Sequence, residues 1–83
     1  MNMPLDKFDP SKVLVGFNQS RKHIQKGLKG KVFLASDVSP NIAQHIRTLC
    51  ALHRVEVDSS YTMVQLGRAC GIEVACGVCV LLP

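Results

Sequence analysis

The segment GFNQSRKHIQKG, residues 16–27, concentrates side chains able to read and hold a polyanion. Asn18 and Gln19 carry amides, and an amide can pair with a base edge through two hydrogen bonds. Arg21, Lys22, Lys26, Lys29 and Lys31 follow, with no acidic residue from Asn18 to Lys31. Such a field attracts phosphate, an anionic membrane or an acidic protein surface. The same residues also suit an ordinary amphipathic helix. Asn18 is then a plain N-cap, Gln19 faces solvent, and Lys22, Lys26 and Lys29 line one wet side with Arg21 beside them. Local sequence leaves both readings open.

The thiols and imidazoles are the other chemistry-bearing groups. Cys76 and Cys79 form a CxxC, and Cys70 lies six residues upstream. Zinc sites use such spacing, but the fourth ligand here would have to be Cys50 or a histidine. A thioredoxin-like pair sits at a helix start, where the dipole lowers a thiol pKa. This one enters a strand-like run instead. Cysteine is also a small hydrophobe that favours burial, and all four are read as packing residues, with no metal or cofactor expected. His23, His45 and His53 have no convincing Ser, Cys or carboxylate partner. His23 either adds to a basic surface or is simply exposed, and His45 and His53 are surface or boundary residues. The six carboxylates show no spacing for paired acid/base work. No enzymatic activity is expected.

Positioning these groups requires a fold, and 83 residues with 47% apolar content suffice for one small domain. Residues 1–10 read as a lead-in and 11–83 as a single domain. The lead-in runs into a short first helix capped by Asp9 or Ser11, with Pro10 in its first turn. Asn18 opens the next helix, and Gly27 or Gly30 ends it. KVFLA, residues 31–35, has strand composition. Ser39 and Pro40 open a helix whose apolar face carries Ile42, Ile46, Leu49, Cys50 and His53. RVEVD, residues 54–58, alternates as a half-buried strand with Val55 and Val57 inward. Ser59 or Ser60 caps a helix carrying Met63, Leu66 and Cys70, closed by Gly71. GVCVLL, residues 77–82, is a continuous apolar run, expected of a strand covered on both faces. This alternation predicts a three-layer α-β-α sandwich around a small, partly parallel sheet. No dinucleotide-binding or Walker glycine loop is present.

The net charge is +4, a mild excess whose distribution matters more than its size. MNMPLDKFDP lacks the apolar segment of a signal peptide, and the longest apolar run is too short to span a bilayer. The expectation is a cytoplasmic protein with reduced thiols and no membrane partner.

Three segments together, GFNQSRK at 16–22, VFLASDVSP at 32–40 and LGRACGIEVACGV at 66–78, resemble the L7Ae/L30e family of RNA-binding proteins. The similarity runs from about residue 11 to 82, in the family's order, and is closest to its small bacterial ribosomal-protein-like members. The resemblance implies a compact α-β-α sandwich with a mixed four-stranded sheet. It also implies non-catalytic binding of kink-turn or kink-turn-like RNA, ribosomal or regulatory. The small domain and dominant basic face are compatible with a monomer. By the family's G-x-N-E-x-x-K signature, Gly16 makes the close approach to RNA. Asn18 and Gln19 face the guanines of tandem sheared G·A pairs, and Lys22 neutralises phosphate. Arg21 and Lys26 extend the phosphate field. The loop of Ile72, Glu73, Val74 and Ala75 meets the nucleotides of the bulge.

Two positions depart from the family pattern. Gln19 stands where many relatives have glutamate, so a guanine N–H still finds an acceptor but without charge assistance. Arg21 often aligns with threonine, which adds a phosphate contact at the cost of selectivity. The alternative is a zinc-stabilised or protein-interaction module of the same fold, using the cysteine group or the apolar 72–75 loop.

Overall fold

In a computed structural model, which describes residues 7–83, the apolar run near the C-terminus is one of the two inner strands of a sheet. Four strands, Val13–Val15 (β1), Lys31–Leu34 (β2), Val57–Asp58 (β3) and Val78–Leu81 (β4), form one sheet in the order β1-β4-β2-β3. β4 runs antiparallel to both neighbours, with Val15 opposite Cys79 and Leu34 opposite Val78. β2 and β3 are parallel. The mixed four-stranded sheet is as expected. Of the lead-in, residues 1–6 lie outside the described residues.

Alternation along the strands divides the core in two. Val32, Leu34, Val78 and Val80 face one side, where they meet Ile24 of α1 (Phe17–Gln25) and Ile46 and Cys50 of α2 (Pro40–His53). Phe33, Ala35 and Cys79 face the other, where they meet Leu66 and Cys70 of α3 (Met63–Cys70). Two helices on one face and one on the other make the three layers. A strand covered on both faces needs apolar residues at every position, which is why GVCVLL does not alternate. Among the described residues no helix is long and apolar enough to cross a membrane.

Several boundaries differ from the sequence reading, each for a local reason. The first helix is a single 3-10 turn at Pro10–Lys12, capped by Asp9, whose carboxylate accepts from the Ser11 N–H at 3.0 Å. The chain then enters β1 directly, a three-residue strand too short for its pattern to declare itself. α1 begins at Phe17 with Gly16 as N-cap, so Asn18 lies inside the first turn and does not cap it. α1 ends at Gln25, and Lys29 lies beyond the helix, not on a row with Lys22 and Lys26.

The predicted strand over 54–58 shrinks to Val57 and Asp58. Arg54 takes a left-handed conformation (φ 57°) to close α2, and the Val55 N–H donates to the Cys50 carbonyl at 2.8 Å. Val55 and Val57 still pack inward. Thr62, not Ser59 or Ser60, caps α3 through a reciprocal box with Gln65. The T-x-x-Q spacing was present in the sequence, but the adjacent serines competed with it. Gly71 closes α3 as expected.

Gly67 shows how tightly α3 meets the following loop. It is buried, and a Cβ there would run into the Val74 carbonyl oxygen and lie 3.2 Å from Ala75 Cα. The obstacle is backbone, so it cannot swing aside. Gly67→Ala should therefore destabilise the fold by about 1–3 kcal/mol, the usual cost of overpacking. Equilibrium urea unfolding measures it; an unchanged midpoint would mean that the loop yields freely.

Candidate nucleic-acid interface

One hydrogen bond brings the two candidate contact regions to the same end of the sheet. The Gly16 N–H donates to the Val78 carbonyl at 2.9 Å. It extends the β1–β4 ladder by one step and places the start of α1 beside the start of β4. The 72–75 loop leads into that same strand. The turn after β2 joins them there, because the Ala35 N–H donates to the Gly77 carbonyl at 2.8 Å.

Gly16 itself has φ 97° and ψ 166°, a conformation essentially reserved for glycine. No atom lies within 4 Å of where its Cβ would be. The glycine is thus required by its backbone angles, and the space outside it is open to an approaching partner. The next residue, Phe17, anchors the helix start. It packs on the first core cluster, with the His45 ring edge-on at 5.4 Å between centroids.

From that anchor the helical repeat distributes the polar residues. Ser20 and Ile24 are buried against the sheet. At about 100° per residue, Asn18, Gln19, Lys22 and Lys26 fall on the opposite face. All of them are exposed. The N–H groups of Phe17, Asn18 and Gln19 precede the first intrahelical bond, from the Ser20 N–H to the Gly16 carbonyl at 3.1 Å. An anion approaching this helix start meets amides and basic side chains together.

Arg21 stands apart from that face. It is half-buried, its guanidinium donates to Gln25 Oε1 at 3.2 Å, and it lies 5.9 Å over the Phe17 ring. Part of its donor capacity is used inside the helix. His23 is likewise engaged, its Nε2 lying 2.7 Å from the Lys29 carbonyl, where it folds the 26–30 turn back on α1. Of the two sequence readings for His23, neither describes this structural tie.

The 72–75 loop divides in the same way. Ile72 packs on the second core cluster. Glu73, Val74 and Ala75 are exposed, Val74 by 70%. Its exposure has a structural cause: the Ile72 N–H is held by the Gly67 carbonyl at 3.1 Å and the Cys76 N–H by the Met63 carbonyl at 3.0 Å. The loop between these ties bulges outward. Val64 and Arg68 of α3 line a groove of about 230 Å³ with residues 72–75. Sequence reasoning missed both, because only the tertiary contact through Gly67 brings α3 under the loop. Asp37 was missed too; its carboxylate accepts from the Met63 N–H at 2.8 Å and ties the turn after β2 to α3.

The cysteines divide between the two faces of the sheet. Cys50 is in the first cluster, and Cys70, Cys76 and Cys79 are in the second, all buried and free. Burial raises the Cys50 thiol above its usual pKa. Burial also lifts Cys70 to about 11. Hydrogen bonding from Cys79 lowers Cys76 to about 6 and correspondingly raises Cys79. The Cys76 sulfur also lies 3.2 Å from the Val78 carbonyl, which favours its protonated form and opposes that lowering.

A model of the ribosomal protein L7Ae/L30e/S12e/Gadd45 family matches residues 5–83. The large ribosomal subunit protein eL8 of Halobacterium salinarum is 40% identical over 67 residues, covering 80% of this chain and 56% of that protein. The chain thus spans little more than half the length of that relative. An RNA-binding protein of Caldanaerobacter subterraneus subsp. tengcongensis is 31% identical over 65 residues, 78% of this chain and 79% of the relative. Among solved structures, the Giardia lamblia 15.5kD RNA binding protein superposes with a TM-score of 0.80 at 26% identity, over 88% of this chain and 62% of that one. A protein of unknown function from Bacillus halodurans superposes with a TM-score of 0.80 at 25% identity, over 88% and 73%.

The backbone requirement at Gly16 has a consequence of its own. Gly16→Ala should lower folding stability by about 1–3 kcal/mol with no ligand present. Thermal unfolding of the free protein tests this, and an unchanged midpoint would show that the helix start relaxes at no cost.

Proposed function

The chain belongs to the ribosomal protein L7Ae/L30e/S12e/Gadd45 family, and from that premise we propose that it binds kink-turn or kink-turn-like RNA without catalysis. It stabilises the kinked state by binding it better than the extended one, a population shift and not a reaction. The observation that supports this reading is the Gly16–Val78 hydrogen bond, which puts the polar start of α1 beside the start of β4, the strand that the exposed 72–75 loop leads into.

The roles divide by chemistry. Asn18 and Gln19 present amides to the edges of the G·A pairs. Lys22 and Lys26 hold phosphate, setting affinity more than sequence. Val74 and Ala75 offer apolar surface to extruded bulge nucleotides, and Glu73 offers backbone groups. Ile72 supports the loop from below. Arg21 orients the helix start over Phe17 and adds charge beside the contact face. A kink with non-Watson–Crick pairs opens a groove that regular A-form RNA keeps closed to side chains. The protein acts as a monomer on ribosomal or regulatory RNA in the cytoplasm, in keeping with its ribosomal-protein relatives.

The decisive experiment titrates the protein against a kink-turn RNA and a copy whose G·A pairs are replaced by Watson–Crick pairs. Clear preference for the first is expected, whereas equal affinities would leave only a nonspecific basic protein. Asn18→Ala should weaken kink-turn binding by about 1–3 kcal/mol; undiminished affinity would remove Asn18 from the contact. Lys26→Ala should weaken both RNAs alike and reduce the slope of log K against log salt by about 0.7–0.9. An unchanged slope would exclude its phosphate contact.

A further inference from the structure

Three sulfurs meet inside the second core cluster. The Sγ atoms of Cys70, Cys76 and Cys79 all lie within 4.8 Å of one another. They arrive from three different elements: the last turn of α3, the end of the 72–75 loop, and the middle of β4. Each is held by backbone. Cys70 precedes the Gly71 cap, the Cys76 N–H donates to the Met63 carbonyl at 3.0 Å, and Cys79 is paired on both sides in the sheet. Packing explains why these residues are buried, but packing is indifferent to where their sulfurs point. Cys50 is equally buried, at 1% exposure, and lies in the cluster on the other face of the sheet.

We propose that Cys70, Cys76 and Cys79 form a binding site for a thiophilic d¹⁰ cation, Cu(I), held by three sulfurs. Sulfurs bound to one ion at about 2.3 Å in a trigonal plane lie about 4 Å apart. The trio reaches that geometry by closing less than about 1 Å, which small side-chain rotations supply. A disulfide would use only two of the thiols and leave the third idle. Cys70 is the most accessible of the three, at 7% exposure against 3% and 0%, so the ion enters from the exposed side of the 71–75 loop.

The donor set selects the ion. Soft thiolates favour Cu(I) and Zn(II) over hard cations. Zinc seeks four ligands, in structural sites almost always tetrahedral. Among the described residues the cluster holds no histidine or carboxylate, and Cys50, the fourth cysteine, is on the other side of the sheet. Cu(I) is satisfied by three thiolates. Each thiol that ligates as thiolate releases its proton to solvent, so binding is accompanied by proton release.

The test is an anaerobic titration of the reduced full chain with Cu(I) buffered by a chromophoric chelator, with a parallel Zn(II) titration. One Cu(I) per chain should leave the chelator, with sulfur-to-copper charge-transfer absorption appearing in the near ultraviolet. Copper X-ray absorption on the wild-type protein should find three sulfur neighbours. Cys50→Ser should bind as wild type, whereas Cys70→Ala and Cys76→Ser should each compete at least about tenfold less well. Circular dichroism checks that each variant is folded, and the absorption data on the wild type decide the matter even if one is not. Failure to withdraw Cu(I), a coordination shell without three sulfurs, tighter binding of Zn(II), or loss of binding in folded Cys50→Ser would each overturn the proposal.

Discussion

β4 must satisfy its backbone on both edges and bury side chains on both faces, and every other element is arranged to let it. Val78–Leu81 hydrogen-bonds to β1 on one side and β2 on the other, with helices above and below. Val78, Cys79 and Val80 are buried. An unpaired backbone group at such depth would cost several kcal/mol by itself. The requirement recruits β1, although that strand has only three residues. It also sets where the chain may enter β4. The preceding loop is pinned between Gly67 beneath and the Met63 carbonyl beside it, so its side chains point outward. The apolar tip of the candidate interface is a by-product of burying the strand that follows.

The other half of the candidate interface shares that origin. Gly16 adds one more hydrogen bond to the β1–β4 ladder before the chain turns into α1. The turn needs a backbone conformation that only glycine adopts readily. Phe17 then locks the helix start into the core, and the amides and lysines fall on the outer face as a geometric result. The polar surface is thereby rigid without being buried. A preorganised surface loses less entropy on binding than a flexible one. On the proposed reading, such a surface would tell kinked from extended RNA by shape as well as by charge.

Not every basic or aromatic group near this surface is free to serve it. Arg21 spends part of its guanidinium on Gln25 and the Phe17 ring, and His23 holds the Lys29 carbonyl. These internal contacts stiffen α1 and the turn that follows it. Lys22 and Lys26 are left as the exposed charges of the helix. Local charge counting gives the field but not the free donors, because Arg21 keeps its charge while part of its guanidinium is bonded to a neutral amide.

The sequence by itself determined the layer architecture, because hydrophobic periodicity is a local property. The unbroken run at 77–82 already required a strand covered on both faces, and the spacing of Ile42, Ile46 and Cys50 already required a one-sided helix. It also carried the amides and charges of Asn18, Gln19, Lys22 and Lys26 and their shared exposed face, since residue type and helical repeat are both written locally. It did not resolve β1, whose three residues are too few for a period. It misread Arg54 and Val55 as strand, because closing α2 consumed those residues; the Glu56 carbonyl already accepts from the Val32 N–H of β2. Only the tertiary structure decided that the start of α1 and the strand entered from the 72–75 loop meet at one end of the sheet. It also decided that Arg68 and Val64 lie under that loop, and that three of the four thiols converge. Those are contacts between residues far apart in the chain, and their geometry follows from strand pairing and close backbone approach, which no local pattern encodes.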